Sequence, residues 1–369
     1  MFIVHTSGLA LALLVVNMFC WGSWGVFAKY STLSFPAFYI LFSVGYFVGA
    51  TLLGLLLGSD LYSTDEEHND FMKNLQSACG LSVLFACLSG VLFNIGNVTL
   101  TLLIQLDGLT TAFPLCIGTA LVVGTLLSYF TEPGHTELGL LCLGLSLALL
   151  ALVSMTGAQV LKERRTRRLQ PPVVEPTTSS SSLEAQLVNA VVDTEKPARL
   201  SLRTILLLSL LSGLVIGGFP PLETLAQERS FYSDPAEALI PYTCSFYFTL
   251  AAMASSVPIC GLLARFPLSG AKVPSIAAAV RGGSCRDVAA PMVAALVWVT
   301  GTMLNFVAGD AVGSPAVAYS IAQAAPMVAA LWGVLFFREF EGASPLTWLL
   351  LISMFCCYSG AIAAIALSN

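Results

Sequence analysis

SACGLSVLFACLSGVLFNIGNVTLTLLIQLDGLTTAFPLCIGTALVVGTLLSYF, residues 77–130, holds two hydrophobic spans separated at Asp107-Gly108. In the first span the polar residues fall in register. Asn94, Asn97, Thr101 and Gln105 recur at steps of three, four and four, with Gly90 one turn earlier. That spacing puts them on a single face of a helix. The second span carries Pro114 and Gly118. Lipid cannot hydrogen-bond to amides, so a row of them inside a greasy helix must be answered from within the protein. One reading is the lining of a polar, solute-accessible cavity. The other is interhelical hydrogen bonding that holds a bundle together. Four residues in register favour the cavity.

The rest of the chain has the same character. Of its 369 residues, 56% are hydrophobic and only 10% are charged. Soluble domains carry about 25% charged residues, so the composition defines an all-α polytopic membrane protein. The expected partners are the lipid bilayer and a small-molecule solute. A net charge of −5, with no basic helix or aromatic–basic patch, argues against nucleic acid. Most of the ten cysteines sit inside apolar spans, among them Cys20, Cys87, Cys116, Cys142, Cys356 and Cys357. They read as small buried hydrophobes and not as a disulfide framework or a metal site. The first apolar run has no basic region before it and reaches full membrane length, so a retained helix is expected and not a cleaved signal.

A bilayer is crossed by about 20 apolar residues. Ten spans are predicted, at 7–27, 36–57, 80–104, 110–130, 137–157, 204–222, 240–264, 288–308, 315–337 and 346–366. Residues 60–73 are acidic and aqueous. Residues 162–203 open with Lys162-Glu-Arg-Arg-Thr-Arg-Arg168 and continue Pro- and Ser-rich, as a flexible linker does. The chain therefore divides into a first repeat at 1–158, a linker at 159–203 and a second repeat at 204–369. With the linker in the cytosol, fourteen of the sixteen basic residues fall on its side, and only Lys73 and Arg229 fall on the other. The positive-inside rule then places both termini outside the cytosol.

Five spans per half is an odd number, so the halves are expected to be inverted repeats. Gly90-Val-Leu-Phe-Asn94 is echoed by Gly301-Thr-Met-Leu-Asn305, and Pro114 by Pro326. Inverted repeats with a solute site near the midplane are a transporter architecture. Three further faces carry polar or aromatic groups: Asn17, Trp21 and Trp24; Trp298, Thr302 and Asn305; and Tyr319, Gln323 and Pro326. Amides offer donors and acceptors, and aromatic faces stack on flat rings or sugar faces. Trp24 also fits an interface anchor, and Tyr319 and Gln323 also fit helix packing. Pro114 and Pro326 are expected to bend their helices. Carboxylates are the usual carriers of coupling charge. Glu223, after the broken tip Gly217-Gly-Phe-Pro-Pro221, is the first candidate and Asp310 the second. An ordinary interfacial carboxylate is the plainer reading of each. No catalytic constellation and no cofactor motif occurs, so no enzyme activity and no cofactor are expected.

These residues carry a family resemblance. Gly96-Asn-Val-Thr-Leu-Thr-Leu-Leu-Ile-Gln-Leu-Asp-Gly-Leu-Thr-Thr-Ala-Phe-Pro-Leu-Cys-Ile-Gly118, through Ser128-Tyr-Phe130, resembles the ureide permeases of the drug/metabolite transporter superfamily. Cys20-Trp-Gly-Ser-Trp24 is similar to their first-helix motif. Gln323-Ala-Ala-Pro-Met-Val-Ala-Ala-Leu-Trp-Gly333 with Phe337-Arg-Glu339 is similar to their ninth-helix motif. Parts of these motifs are shared with the glucose/ribose uptake family. The resemblance implies ten helices, a cytosolic central loop and proton-coupled import of ureides such as allantoin, or of uracil-like oxo-heterocycles, at the plasma membrane. A sugar transporter of the same fold is the alternative, and a non-transporting sensor or scaffold is the alternative of another class. Plant members are described with a nucleotide-binding-like motif in the central loop, but 162–203 holds no GxxxxGK[ST].

Overall fold

A computed structural model describes residues 2–28, 30–59, 70–107, 109–131, 137–169, 200–266, 275–312 and 315–368. Among these the regular structure is entirely helical. In chain order the helices are α1 (Ser7–Ala28), α2 (Phe35–Leu57), α3 (Phe71–Ser77), α4 (Gly80–Asp107), α5 (Leu109–Thr131), α6 (Leu138–Leu169) and α7 (Leu202–Ile216). They continue with α8 (Phe219–Gln227), α9 (Pro241–Arg265), α10 (Ile276–Gly282), α11 (Cys285–Val312), α12 (Pro315–Ala322), α13 (Ala325–Leu331) and α14 (Pro345–Ala366).

Among the described residues, eight helical stretches are long and apolar enough to cross a bilayer: α1, α2, α4, α6, α7 with α8, α9, α11 and α14. Two shorter apolar helices lie at Ala112–Leu127 and Ala325–Phe336. The outward faces are as greasy as the core. Leu9, Val15, Val16 and Phe19 of α1, and Leu149, Leu150 and Val153 of α6, are all exposed. A helix that is hydrophobic all round belongs in lipid, so this is an integral multi-pass membrane protein.

Local chemistry marks where the helices start. Proline occupies the first turn of α2, α8, α9, α13 and α14, where its missing N–H costs nothing. The side chains of Ser201 and Ser344 accept from Thr204 and Thr347 N–H and cap α7 and α14. The acidic loop ends in an anchor. Asp70 caps α3, and Phe71 is buried. The fully buried Asn74 gives its amide N–H to Ala238 O (2.9 Å) and accepts from Ile240 N (3.0 Å) and the Thr243 hydroxyl. Residues 60–69 of that loop lie outside the described residues.

Three expected boundaries move. The fifth span was placed at 137–157, yet α6 runs on to Leu169, through residues assigned to the flexible linker. Lys, Glu and Arg are good helix formers, and Lys162 Nζ lies 4.7 Å from the centre of the Phe340 ring. The remainder of the linker, 170–199, lies outside the described residues. The sixth span, placed at 204–222, reaches Gln227 but is interrupted at Gly217-Gly218. The ninth is interrupted at Gln323-Ala324 and finishes as a π-turn, Trp332–Phe336.

Packing is set by pairs. α1 lies along α11, and α6 along α14. α4 packs against α9 and the α7–α8 run, α2 against α9 and α11, and α5 against α6 and α7. Several close crossings depend on glycine. A Cβ on Gly90 would collide with the carbonyl of Phe248, and one on Gly301 would stand 2.7 Å from Asn17 Oδ1 and 2.8 Å from Cys20 Cβ.

Candidate functional site

Among the described residues, two hollows compete as the site. The larger, ≈ 590 Å³, is lined almost wholly by aliphatic side chains of α5, α6, α7 and α14 and lies open at the bundle's outer face. It has no convergent polar groups. The smaller, ≈ 30 Å³, lies in the middle of the bundle and is lined by twelve residues from seven elements. Binding sites combine apolar walls with a few placed polar groups, and only the second hollow has them.

Its walls are aromatic. Trp21 and Trp24 come from α1, Phe93 from α4, Phe113 from α5, Phe219 from α8 and Trp298 from α11. Phe93 stacks on Trp298 with centroids 4.9 Å apart and planes 25° apart, and meets Phe219 edge-on at 5.7 Å. Trp24 stacks on Phe42 at 5.1 Å. Each pair holds its partner's ring in place, which makes the cavity wall a rigid aromatic surface. Trp21 is fixed at its other end, because its Nε1–H donates to Thr302 Oγ1 (3.1 Å).

Two amides enter this wall. Asn97 Nδ2 donates to Tyr39 Oη (3.0 Å), which in turn donates to Asn94 Oδ1 (2.9 Å). Gln323 sits at the break between α12 and α13, 1% exposed, and its Oε1 has no hydrogen-bond partner. Both helix interruptions meet at the cavity, since Ile216 and Phe219 flank one break, while Gln323 lies in the other and Ala325 follows it. None of the twelve lining residues is charged. At ≈ 30 Å³ the cavity has room for about two waters, where a drug-sized ligand site needs several hundred Å³. Admitting a heterocycle therefore requires the walls to part.

The structure brings together Trp21, Trp24, Asn97 and Gln323. The other polar residues of the sequence reading lie elsewhere. Asn94 is fully buried and turned to α2 and α9, donating to Ser255 Oγ (2.8 Å) and accepting from Tyr39 and Ser256 (3.1 Å). Thr101 donates back to Asn97 O (2.7 Å), and Gln105 is half-buried further along α4. Asn305 is buried with its Nδ2 unpartnered. Tyr319 donates to Ala120 O (3.2 Å) and abuts Phe219 edge-on at 5.7 Å. Pro326 stands in the first turn of α13, directly after the break, whereas Pro114 lies within an unbroken α5. Glu223 lies four residues after Phe219 on α8, where its Oε1 accepts from Gln227 (2.6 Å). The side chain of Asp310 lies outside those described.

Sequence reasoning missed Phe93, Phe113 and Phe219. Phe93 had a signal, since it stands four residues before Asn97 and so shares its face. Phe113 and Phe219 had none, because a phenylalanine in an apolar span is the commonest kind of packing residue.

A bundle of apolar helices, two of them interrupted beside a buried aromatic and amide chamber, defines the class: a multi-pass membrane transporter. The family model for ureide permeases matches residues 174–368, more than half of the chain, and the chain belongs to the ureide permease family. It is 25% identical over 409 aligned residues to ureide permease 4 of Arabidopsis thaliana, covering 100% of this chain and 99% of that one. It is 24% identical over 400 residues to ureide permease 2 of the same plant, with the same coverage. A protein of known crystal structure, 14% identical, superposes with a TM-score of 0.50 over 98% of this chain and 99% of the other, a likeness of fold alone. The family is one of permeases, so the chain is a transporter and not an enzyme.

Proposed function

We propose that this permease carries ureides and related oxo-heterocycles across the membrane, with the aromatic and amide cavity as its solute site. The observation that carries the reading is the neutral lining. Trp21, Trp24 and Trp298 offer aromatic surface to a flat ring, and Asn97 and Gln323 offer amide groups to the alternating N–H and C=O of a ureide. A charged solute would need a counter-charge among such neutral side chains. The curated relatives are named ureide permeases, which supports the same class.

A cavity this small fits one state of an alternating-access cycle. The interruptions at Gly217-Gly218 and Gln323-Ala324 are the hinges in this reading. The fold then has ten membrane helices in two inverted halves, as in the drug/metabolite transporter superfamily, with a cytosolic linker, external termini and a place in the plasma membrane. Helix pairing supports the inversion. The α1–α11 pair has a counterpart in α7–α8 against α4, α2–α11 in α9–α4, and α1–α13 in α7–α5, while α2–α9 and α6–α14 are their own counterparts. The glycine crossings supply a register. Gly301 faces α1 as Gly96 faces Ser212 O of α7, and Gly22 faces Ala325 O as Gly213 faces Cys116 O. Gly301 thus corresponds to Gly96 and not to Gly90. Trp298 then corresponds to Phe93, and these two stack on each other, as residues beside a two-fold axis must.

Coupling by protons is assigned to Glu223, on the same helical face as the cavity-lining Phe219 and one turn beyond it, with Asp310 second. Uptake into proteoliposomes tests the whole reading. Labelled allantoin should enter, faster with an inward proton gradient, and should compete with uracil but not with glucose, rhamnose or ribose. Competition by the sugars alone would make it a sugar transporter. No flux with any of them would point to a sensor.

A further inference from the structure

The larger hollow is unused by this mechanism, and its position is informative. One face of α6 lines it, through Leu149, Val153, Gly157 and Val160. At 1.5 Å per residue the α6 lining extends about 18 Å, close to the roughly 15 Å depth of one leaflet. Its one hydroxyl on α6, Thr156, already donates to Leu152 O (2.9 Å). Nothing in it can fix a polar occupant, whereas an alkyl chain would be held along its whole length.

The groove ends in positive charge. Arg164 continues the lining face of α6, four residues past Val160, and is exposed. Arg203 stands seven residues before the lining Leu210 on α7, on the same face, and is also exposed. Both reach the same level. Leu152 of α6 fills the space over Gly118 of α5, and Gly213 of α7 lies against Cys116 O and Thr119 of α5. From there Arg164 is about 18 Å and Arg203 about 15 Å towards the end where the linker leaves. Arg165 adds a third exposed cation, and the N-terminus of α7 adds its dipole at that end. The one carboxylate adjoining Arg164 on α6, Glu163, is already engaged.

We propose that this groove binds one anionic phospholipid, with an acyl chain between α5, α6, α7 and α14 and its phosphate between Arg164 and Arg203. Basic pockets between membrane helices bind such headgroups, at about 1 kcal/mol per arginine, so two arginines amount to about thirtyfold in affinity.

The test uses the full-length protein in detergent. Phosphatidylglycerol and phosphatidylcholine of identical chains are added in turn, and bound lipid is counted by native mass spectrometry beside the melting temperature. Phosphatidylglycerol should be retained about thirtyfold more strongly and should raise the melting temperature. Arg164→Gln with Arg203→Gln should abolish that preference and leave the melting temperature in phosphatidylcholine unchanged. Val153→Trp should block both lipids by filling the groove. Equal retention of the two lipids would overturn the proposal, as would an anionic preference that survives the double arginine variant. Inorganic phosphate giving the same protection would make it a free-anion site. A change of oligomeric state with Val153→Trp would make the groove a contact between copies. None of these readouts involves transport, so they stand apart from the ureide reading.

Discussion

Gln323→Leu separates binding from folding. Gln323 is buried, and its Oε1 has no hydrogen-bond partner. Its backbone N–H donates to Tyr319 O (2.9 Å), a bond that leucine keeps. Leucine is close in volume and removes a stranded carbonyl, whose burial costs about 1–3 kcal/mol. The variant should therefore melt at the same temperature as the parent or higher. Its effect on transport should be opposite. If the carbonyl accepts from a ureide N–H when the walls part, its loss leaves that N–H unpaired. The cost is again about 1–3 kcal/mol, roughly 5- to 150-fold in apparent affinity. The assay is labelled allantoin uptake against concentration, corrected for protein at the membrane, beside a thermal melt in detergent. Unchanged uptake would remove Gln323 from the solute site. A melt lowered by several degrees would make it a packing residue whose bonds form in the state observed.

Other substitutions read different parts of the account. Asn94→Ala deletes three hydrogen bonds, but Ser255 and Ser256 keep Ala252 O as acceptor. At about 0.6 kcal/mol per bond in a membrane bundle it should cost about 2 kcal/mol, seen in the melt, while uptake per folded molecule persists. Gly301→Ala drives a methyl onto Asn17 Oδ1 and Cys20 Cβ and should cost about 1–3 kcal/mol by overpacking, read as lost folded yield. Glu223→Gln keeps the shape and a partner for Gln227 and removes the charge. It should leave allantoin exchange intact and abolish the acceleration by a proton gradient; a gradient response that persists would move coupling to another group.

The membrane character, most helix boundaries and the places of Trp21, Trp24 and Gln323 in the chamber wall were legible in the residues. Periodicity placed Asn94 and Asn97 on one stripe of α4. It could not say that Asn97 would look into the chamber and Asn94 towards Ser255 and Ser256. The two differ by about 60° around the helix, and only the positions of α2 and α9 decide between them. The helix breaks were half legible. Gly217-Gly-Phe-Pro-Pro221 announces one, but Gln323-Ala324 lies in an Ala-rich run of good helix formers, and Pro326 marks only where the helix restarts. Run length could not place the end of α6, because the basic residues that end an apolar span are themselves good helix formers. In the proposed inverted repeat, GxxxN pairs Gly90 with Gly301 whereas the close crossings pair Gly96 with Gly301; glycine serves at many close helix approaches, so its spacing alone sets no register.

Three of the five tryptophans, Trp21, Trp24 and Trp298, line the chamber. With Trp332→Phe and Trp348→Phe removing the other two, intrinsic fluorescence reports on the chamber alone. Titration with allantoin should quench it saturably, uracil should do the same, and glucose and ribose should not. Adding Gln323→Leu should shift the allantoin midpoint by the same roughly 5- to 150-fold seen in uptake. Saturable binding of labelled allantoin with no change in this fluorescence would place the solute site somewhere else.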